Sequence, residues 1–390
     1  MHSGRFVFSQ ILALVNQYEF NKYVKRYKGN RHVRELDCWN LFIQLLFGQL
    51  AGLPSLRSIS ICLQAHEHQL YHFGIKKWVD SSVLSRANEK RNWLIFADFG
   101  NYLLRLVRPM YAKCAIPNID IDNEVFALDS TTISVSINLF TWAKGKYSRG
   151  AVKMHTLIDL RGNIPEFILI TDGKYHDSNA LDVIFFYASA IYLMDKAYVD
   201  FEALFRIHNA GAFFVSRAKD TMRYEVVEQN FNIDQTKGLR TDKTVCLTVA
   251  KSKKLYPEKL RLVEFYDDIN GELLVFLTNN FEVSALEVAN LYRNRWQVEI
   301  FFKWIKQNLT VKKLWGHSVN VVKIHLWVAI CTYLILAYIK HMMHSPLSIY
   351  EISQVLSTSL FDNTLIRDLL NESNKSQIKK NQYVKELLLF

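Results

Sequence analysis

Three acidic side chains, distant from one another in the chain, have the surroundings that a catalytic site requires. Asp129 and Asp195 each end a short, unbroken apolar segment, and Glu299 lies in a stretch of helical pattern that also carries cations. A carboxylate at the end of a buried apolar segment is unfavourable unless a cation or a proton compensates its charge. We therefore expect these acids to meet at one cation site.

Each of these acids also has a simpler interpretation. Asp129 precedes Ser-Thr-Thr and could be a turn residue, and Asp195 could cap the helix that follows it. Other acids in this part of the chain are rivals for the site: Asp159, Asp172, Asp177, Asp182 and Asp200. We prefer Asp129 and Asp195, because each ends an apolar strand that is expected to be central and buried.

The predicted site suits hard divalent cations. Mg²⁺ prefers carboxylate oxygens, water and substrate phosphate, and Mn²⁺ can substitute for it. Two such ions, about 3.5–4 Å apart, can activate the attacking oxygen and stabilise the leaving oxygen of a phosphoryl transfer. The expected cofactor is thus a pair of Mg²⁺ ions held by Asp129, Asp195 and Glu299.

The stretch around Glu299 predicts a single helix of about four turns, because it lacks Pro and Gly and carries apolar residues at helical spacing. At about 100° per residue, its polar side chains fall within roughly 60° of one another: Tyr292, Arg295, Glu299 and Lys306. Arg295 and Lys306 are expected to contact DNA phosphates, and Tyr292 to stack or to contact a phosphate. Lys303 flanks this face and is also a predicted DNA contact. The alternative is an ordinary helix ion pair between Arg295 and Glu299, worth about 0.3–0.5 kcal/mol.

Neighbouring residues are assigned to packing instead of chemistry. Trp296, within the predicted helix, is expected in the core. Lys153 and His155 are expected on one strand face near the site, and we favour a sheet-packing role for them.

The elements that would carry these acids occur in an informative order. Strands are predicted over residues 125–129, 151–159, 164–171, 191–195 and 212–216, with a turn at 161–163. Helices are predicted from Asp177 or Ser178 to about residue 190 and from Phe201 to Asn209. This succession predicts an α/β fold with a ribonuclease-H-like mixed sheet and flanking helices. In such sheets, ligands gather at the carboxyl ends of the strands.

Outside this sheet, the sequence predicts mainly helices. We expect a helical N-terminal DNA-binding domain over residues 1–75, a helical connector over 76–120, the first part of the catalytic core over 121–219, a β-rich insertion over 220–282, the second part of the core over 283–345 and a helical polar tail over 346–390. Residues 326–339 are apolar but shorter than the roughly 20 residues that a bilayer requires. They predict a buried helix and no membrane span.

The composition favours a polyanionic partner and a reducing compartment. The 390 residues carry a formal net charge of +11, which indicates nucleic acid or an anionic membrane surface. Basic residues gather near the N-terminus, where we expect DNA contact: Lys22, Lys25, Arg26, Lys28, Arg31 and Arg34. The 5 cysteines are scattered without C-x-x-C spacing, and the N-terminus shows no export signal. We therefore expect a cytoplasmic protein in a reducing cytosol.

The spacing Tyr292-x2-Arg295-x3-Glu299-x6-Lys306 resembles the Y-R-E-K signature of the DDE transposases of the IS-four insertion-sequence family. Residues 128–131 resemble the first-aspartate motif of that family, and residues 195–200 resemble its second, with Ala where the family usually has Gly. Residues 8–10 and 52–57 resemble the N-terminal domain on one branch of these enzymes. The resemblance covers roughly residues 1–340.

This resemblance implies a cut-and-paste transposase, which excises a segment of double-stranded DNA bounded by terminal inverted repeats and joins it to a target. Asp129, Asp195 and Glu299 would be the catalytic triad and the metal ligands. The Tyr, Arg and Lys of the signature would hold phosphates and help manage a hairpin at the transposon end. A homodimer is expected, since two ends must be brought together. The alternative is a catalytically silent DNA-binding protein that recognises or represses transposon ends.

Overall fold

The computed structural model describes residues 5–135 and 150–371. The chain forms two compact units, each assembled from separate segments of the sequence. Within the described residues, the helical unit comprises 5–110 and 303–371, and the sheet unit comprises 111–135 and 150–302. Helices from the N-terminal and the C-terminal parts of the chain therefore belong to one unit.

In chain order, the α-helices of the described residues are α1 (Val7–Leu14), α2 (Gln17–Arg26), α3 (Cys38–Leu50), α4 (Leu56–Ala65), α5 (Ser81–Lys90), α6 (Leu94–Tyr111), α7 (Phe201–Asn209), α8 (Ala250–Leu255), α9 (Ala285–Asn294), α10 (Gln297–Asn308), α11 (Val319–Met342) and α12 (Ile349–Ser359). The strands are β1 (Val125–Val135), β2 (Gly150–Asp159), β3 (Ile164–Asp172), β4 (Ile191–Met194), β5 (Phe213–Arg217), β6 (Tyr224–Asn230), β7 (Leu239–Leu247), β8 (Leu260–Asp267) and β9 (Glu272–Thr278). All these strands lie in the sheet unit.

The strands form one nine-stranded sheet in the order β3-β2-β1-β4-β5-β9-β8-β7-β6. β1, β4 and β5 run parallel to one another at its centre, and every other pairing is antiparallel among the described strands. A mixed α/β architecture with a large mixed sheet is thus confirmed. The β-rich segment that we predicted as an insertion extends this sheet, because β9 pairs directly with β5.

β1 and the segment after β3 differ from the expectation. β1 continues through Asp129 to Val135, because these residues pair one by one with β2. The helix predicted from Asp177 to about residue 190 is only a 3-10 turn over Asp177–Asp182. Residues 183–187 are Val, Ile, Phe, Phe and Tyr, whose β-branched and aromatic side chains lose rotamer freedom in a helix.

The core of the sheet unit includes the apolar side chains of the parallel strands and of α7. Phe126 and Leu128 of β1 are buried together with Tyr192 and Met194 of β4, and Leu204 of α7 belongs to the same cluster. Each such side chain contributes about 1.5–3 kcal/mol when it is fully buried. A shift of one residue would turn this set toward the opposite face, so the core fixes the register of β1 and β4.

The core of the helical unit is built on α3 and α11. Every residue of α3 is buried, and so is most of α11. Phe20, Phe42 and Phe99 pack their rings against one another. α11 is the one described helix that is long and apolar enough to cross a membrane, but 89% of its most apolar window is buried inside the protein. The prediction of a buried helix over residues 326–339 is therefore confirmed.

Candidate active site

The register of two parallel strands brings Asp129 and Asp195 to the same level of the sheet. The last paired residues of β1 and β4 are Leu128 and Met194, and the two aspartates follow them directly. Neighbouring strands lie about 4.8 Å apart, so the two carboxylates begin from adjacent backbone positions. We expected Asp129 to end its strand, but it does not. It ends the pairing of β1 with β4, while β1 itself continues along β2.

Glu299 reaches this level of the sheet on a helix that follows a break. The single helix predicted from Tyr292 to Lys306 is two helices, α9 and α10, with Arg295 and Trp296 between them, and the prediction is wrong on this point. The backbone N–H groups of Arg295, Trp296 and Glu299 donate to carbonyls three residues earlier. This tightening to 3-10 geometry ends α9 and starts α10 without any Pro or Gly.

Hydrogen bonds from distant residues hold both helices near the junction. α9 begins with a capping box at Ser284. At its other end, Asn294 Nδ2 donates to the carbonyl of Pro117 at 3.1 Å. Asn163, in the turn between β2 and β3, donates from Nδ2 to Oε1 of Gln297 at 3.2 Å. The junction is therefore anchored to the sheet that carries the aspartates.

Arg295 joins two of the three acids directly. Its Nη1 donates to Asp129 Oδ2 at 3.2 Å, and its Nη2 donates to Glu299 Oε1 at 2.7 Å. The Tyr292 hydroxyl donates to Oδ1 of the third acid, Asp195, at 3.4 Å. The guanidinium carbon of Arg295 lies 5.6 Å from the centre of the Tyr292 ring. The structure thus brings these five side chains together within the sheet unit.

Burial shifts the proton equilibria of this cluster. Burial raises the pKa of Asp129 to about 6. A backbone N–H and Arg295 oppose this shift, whereas the charges of Glu299 and Asp195 add to it. Burial also raises the pKa of Tyr292 to about 12. A cation among the acids would favour the ionised carboxylates and would relieve their mutual repulsion.

The donor set fits Mg²⁺, although an arginine stands among the acids. Asp129, Asp195 and Glu299 offer only carboxylate oxygens, which are ligands that Mg²⁺ prefers. Across residues 5–135 and 150–371, no three His, Cys, Asp or Glu side chains are arranged to hold a metal ion, and the Arg295 guanidinium bridges Asp129 and Glu299. Its Nε atom is buried without a hydrogen-bond partner, so Arg295 is incompletely satisfied in this position.

Lys303 and Lys306, predicted as DNA contacts, lie on α10 after Glu299. Lys303 is exposed. Lys306 is partly buried, and its pKa is lowered by burial and by the charge of Lys312. Both lysines belong to the helical unit, which resumes at residue 303. Their contact with phosphates stays a prediction.

Sequence reasoning missed a polar group next to Asp129. Asp177, considered only as a rival acid or a helix cap, accepts hydrogen bonds from Ser130 and Lys153 and lies beside His155. The sheet-packing role that we expected for Lys153 and His155 overlooks these polar contacts. A Lys-x-His spacing on a strand places both side chains on one face, and this was the signal that could have revealed the group.

A cavity of about 340 Å³ opens beside Asp195 in the sheet unit. Arg217, Tyr292, Arg293 and Trp296 contribute to its lining, so that cationic and aromatic groups adjoin the acid. Trp296 is 58% exposed, which contradicts the expectation that it packs in the core. The physical reason is the break between α9 and α10. Trp296 lies in this break and not on the buried face of a continuous helix.

The helical unit has a second region of interest, a cleft of about 440 Å³ that we call the basic cleft. Arg34, from the segment before α3, and Arg86 and Lys90 of α5 contribute to its lining. None of these three forms an ion pair with an acid in the part of the chain that the structure describes. Glu35 also lines the cleft and pairs with Lys77 at 3.9 Å.

Comparison with known families matches two parts of the chain. Residues 121–335 match the family described as "Transposase DDE domain". Residues 3–76 match a second family, described as a domain of unknown function, DUF4372. The first match covers more than half of the chain and includes Asp129, Asp195 and Glu299.

Individual relatives point to the same family. A protein of Sinorhizobium fredii named as a transposase is 31% identical over 238 residues, which cover 60% of this chain and 66% of the relative. A protein of Geobacillus stearothermophilus named as the transposase for insertion sequence element IS5377 is 28% identical over 268 residues, 68% of this chain and 69% of that protein. The matched region thus spans about two thirds of the length of these relatives.

Among solved structures, a cryo-EM structure of the piggyBac transposase synaptic complex with hairpin DNA is similar at a TM-score of 0.45 and 12% identity. The likeness covers 94% of this chain and 85% of that one. A score at this level does not define a shared fold.

Proposed function

Because the chain belongs to the family of DDE transposases, enzymes that act on DNA, we propose that it is the cut-and-paste transposase of an insertion sequence. It would bind the terminal inverted repeats of the element as double-stranded DNA. It would then cut the DNA at these ends and join the released element to target DNA.

One observation carries this proposal. Acids from three distant parts of the chain, Asp129, Asp195 and Glu299, are linked through Arg295 and Tyr292 beside the paired strands β1 and β4. Part-buried carboxylates that share one arginine are an unfavourable arrangement for stability alone. They are a favourable arrangement for a protein that exchanges this arginine for divalent cations.

The central strands support a ribonuclease-H-like core for this site. The first five strands lie in the order β3-β2-β1-β4-β5, in which a hairpin pairs with β1 and two further strands run parallel to it. In sheets of this kind, ligands bind beyond the carboxyl ends of the parallel strands. Asp129 and Asp195 lie where the pairing of β1 and β4 ends.

The three acids would hold two Mg²⁺ ions, which supply activation of the attacking oxygen and charge stabilisation of the leaving oxygen. In the first cut, a water oxygen bonds to phosphorus, the bond from phosphorus to the 3′-oxygen breaks, and this oxygen takes up a proton. In the joining step, the released 3′-hydroxyl attacks a phosphodiester of the target. One phosphodiester bond then forms as another breaks.

Arg295 would serve the acids and the DNA in turn. Without cations it neutralises Asp129 and Glu299, and with cations on these carboxylates its fork of N–H donors becomes available for a phosphate. Tyr292, with Lys303 and Lys306 of α10, would complete the contacts to the DNA backbone.

The N-terminal part of the helical unit would hold the DNA. Arg34, Arg86 and Lys90 of the basic cleft form no ion pair with an acid among the described residues, and phosphates would supply their counter-charge. We propose a DNA-binding role for the domain over residues 1–75. Because two ends must meet, we also propose a homodimer, acting in the bacterial cytosol.

A cleavage assay tests the proposed function. The purified protein is mixed with Mg²⁺ and with a labelled DNA end, taken from the inverted repeats that flank the gene. Strand cleavage is expected, and it should disappear in Asp129→Asn and Glu299→Gln while binding to the end persists. Mn²⁺ should replace Mg²⁺.

Other outcomes would contradict this function. Binding of the end without cleavage, under any divalent cation, would support a silent DNA-binding protein instead. Cleavage of unrelated branched DNA at the same rate, with no joining of ends, would indicate a structure-selective nuclease.

A further inference from the structure

A part-buried polar group lies beside the acids, and we call it the Asp177 network: Ser130, Lys153, His155 and Asp177. A single oxygen of Asp177, Oδ1, accepts hydrogen bonds from Ser130 Oγ at 2.7 Å and from Lys153 Nζ at 3.0 Å. His155 Nδ1 lies 3.7 Å from the same oxygen. The Lys153 ammonium also donates to the carbonyl of Tyr175 at 3.1 Å.

The sheet itself assembles this network. In the antiparallel ladder of β1 and β2, Ser130 stands opposite His155, and Lys153 stands opposite Thr132, two residues farther along β1. Residues two apart on a strand share a face, so Ser130, Lys153 and His155 meet on one side of the sheet. Asp177 approaches from the 3-10 turn that follows β3. The geometry is thus fixed by backbone pairing.

Ser130 connects the network to the first acid of the site. Its hydroxyl is bound to Asp177, and its backbone N–H donates to Asp129 Oδ1 at 2.7 Å. The other oxygen of Asp129, Oδ2, is bound to Arg295. Both carboxylate oxygens of Asp129 therefore accept a hydrogen bond, one from Arg295 and the other from the Ser130 backbone.

Stability alone does not account for these polar residues. His155 is fully buried, and its Nδ1 has no hydrogen-bond partner, an arrangement that costs about 1–3 kcal/mol. The side chains of Lys153 and Asp177 are 16% and 25% exposed. An ion pair that is this far removed from water stabilises the folded state little more, if at all, than apolar residues of the same volume would. A role in positioning explains why the sequence has polar residues here.

We propose that Lys153 and Asp177 are positioning residues for Asp129, an inference that rests on the proposed function. Lys153 neutralises Asp177 and fixes its carboxylate, Asp177 fixes the Ser130 hydroxyl, and the Ser130 N–H then holds the Asp129 carboxylate in one orientation. Because Lys153 neutralises Asp177, the Asp177 carboxylate adds little net negative charge near Asp129, Asp195 and Glu299.

The first test replaces Lys153 with Met, which keeps the length of the side chain and removes its charge. Outer partners of metal ligands typically contribute about 10–100-fold to metal affinity or activity. We therefore expect Lys153→Met to lower both the single-turnover cleavage rate and the affinity of the DNA-free protein for Mn²⁺ by about this factor. Affinity for the DNA end should not change. Lys153→Arg should restore part of the loss, because it keeps the charge.

A second variant and a matched control separate positioning from folding. Ser130→Ala removes the hydroxyl link to Asp177 without exposing a buried charge, and we expect a loss in the same direction, but smaller. Thr171→Val is the control, because Thr171 bonds to His155 at 3.1 Å and Asp177 is not among its bonded partners. Each variant is checked by circular dichroism, and Ser130→Ala decides if Lys153→Met fails to fold.

The results also separate this proposal from the proposed function. The positioning role is overturned if Ser130→Ala and folded Lys153→Met bind Mn²⁺ and cleave DNA as the wild type does, or lose no more than Thr171→Val. The transposase function would stand in that case. If instead the wild type binds the end but does not cleave it, the function fails, and Mn²⁺ affinity alone still tests the network.

Discussion

Arginine side chains are paired with acids in the acid cluster of the sheet unit (Asp129, Asp195, Glu299 and Arg295) but, among the described residues, not in the basic cleft of the helical unit. In the acid cluster, Arg295 is hydrogen-bonded to Asp129 and Glu299. In the basic cleft, Arg34 and Arg86 are exposed, and neither forms an ion pair with an acid among the described residues. One region satisfies its charges internally, whereas the other leaves them to a partner.

This difference separates the two tasks that a DNA-cutting enzyme must perform. A reacting phosphate requires groups held in a fixed geometry, and internal partners provide it even before substrate binds. Holding a polyanion requires cations whose counter-charge comes from the DNA, with release of condensed counterions. Substitutions should therefore alter chemistry and stability in the first region, and affinity and salt dependence in the second.

The largest effect is expected at Arg295. Arg295→Met should lower the cleavage rate by about 10²–10³-fold, the usual loss when one preorganised charge-stabilising donor is removed. It should also lower the free energy of unfolding by about 1.5–3 kcal/mol, because two part-buried carboxylates lose charged hydrogen bonds. Mn²⁺ should bind the DNA-free variant more tightly, because the Arg295 guanidinium no longer competes with the ion for Asp129 and Glu299. Single-turnover kinetics, urea unfolding and Mn²⁺ titration measure these changes.

Arg293→Met is the matched control for that experiment. Arg293 lines the neighbouring cavity and lies near the ring of Phe265. Its charge acts on Asp267, and among the described residues it forms no ion pair with Asp129, Asp195 or Glu299. It should leave Mn²⁺ affinity unchanged. Equal shifts in both variants would show that Arg295 acts through the general charge of the region and not as a bridge between acids.

The second effect is expected in the basic cleft. Replacing Arg34, Arg86 and Lys90 together by Ala should weaken binding to the DNA end and reduce the salt slope of the binding constant by about 2–3, since each phosphate contact contributes about 0.9. The free energy of unfolding should stay within about 0.5 kcal/mol of the wild type, as for other exposed residues. Binding titrations between low and moderate salt test this prediction, and an unchanged slope would exclude the cleft as a phosphate site.

A third effect concerns pH in the metal-free protein. Burial raises the pKa of Asp129 from 3.8 to about 6, so the folded state binds more protons than the unfolded state between these values. The free energy of unfolding must then fall as pH rises from about 4 to about 6. Asp129→Asn lacks this contribution, and the wild type should lose at most about 3 kcal/mol relative to it, at 1.36 kcal/mol per pKa unit. Urea unfolding in EDTA measures this change, and parallel pH profiles would contradict it.

The smallest effect is expected at Trp296. Substitution there tests whether this residue, which lines the cavity beside Asp195, is exposed to solvent. Because its side chain is 58% exposed, Trp296→Ala should change the free energy of unfolding by no more than about 0.5 kcal/mol. Tyr192→Ala, within the core of the same unit, is the comparison and should lose about 3–5 kcal/mol. A comparable loss at Trp296 would indicate that this residue is covered in solution.

Local patterns in the sequence were sufficient to predict part of this molecule. The apolar runs before Asp129 and Asp195 predicted two central, buried strands, because uninterrupted apolar segments of this length are buried in a sheet. Ser284 is of a residue type that is favoured at helix N-caps, and the structure has a capping box there. The apolar run over residues 326–339 predicted a buried helix. In each of these cases, the residues that determine the feature lie next to one another in the chain.

Features that depend on distant partners were not predicted. The break at Arg295 and Trp296 contains neither Pro nor Gly, and its flanking residues are anchored by Pro117 and Asn163. Asp177 joins Ser130 across 47 residues of sequence, and only the pairing of β1 with β2 brings Lys153 and His155 to the same place. Periodicity within a segment does not contain such information.

The most direct test of the central claim is cleavage of the polypeptide by bound iron. Fe²⁺ replaces Mg²⁺ in the DNA-free protein, and ascorbate with peroxide then cuts the backbone close to the ion. We predict cuts near all three of Asp129, Asp195 and Glu299, which disappear when Mg²⁺ is added in excess or when Asp129 is replaced by Asn. Cuts near only one of these acids, or cuts that Mg²⁺ does not suppress, would contradict a shared cation site.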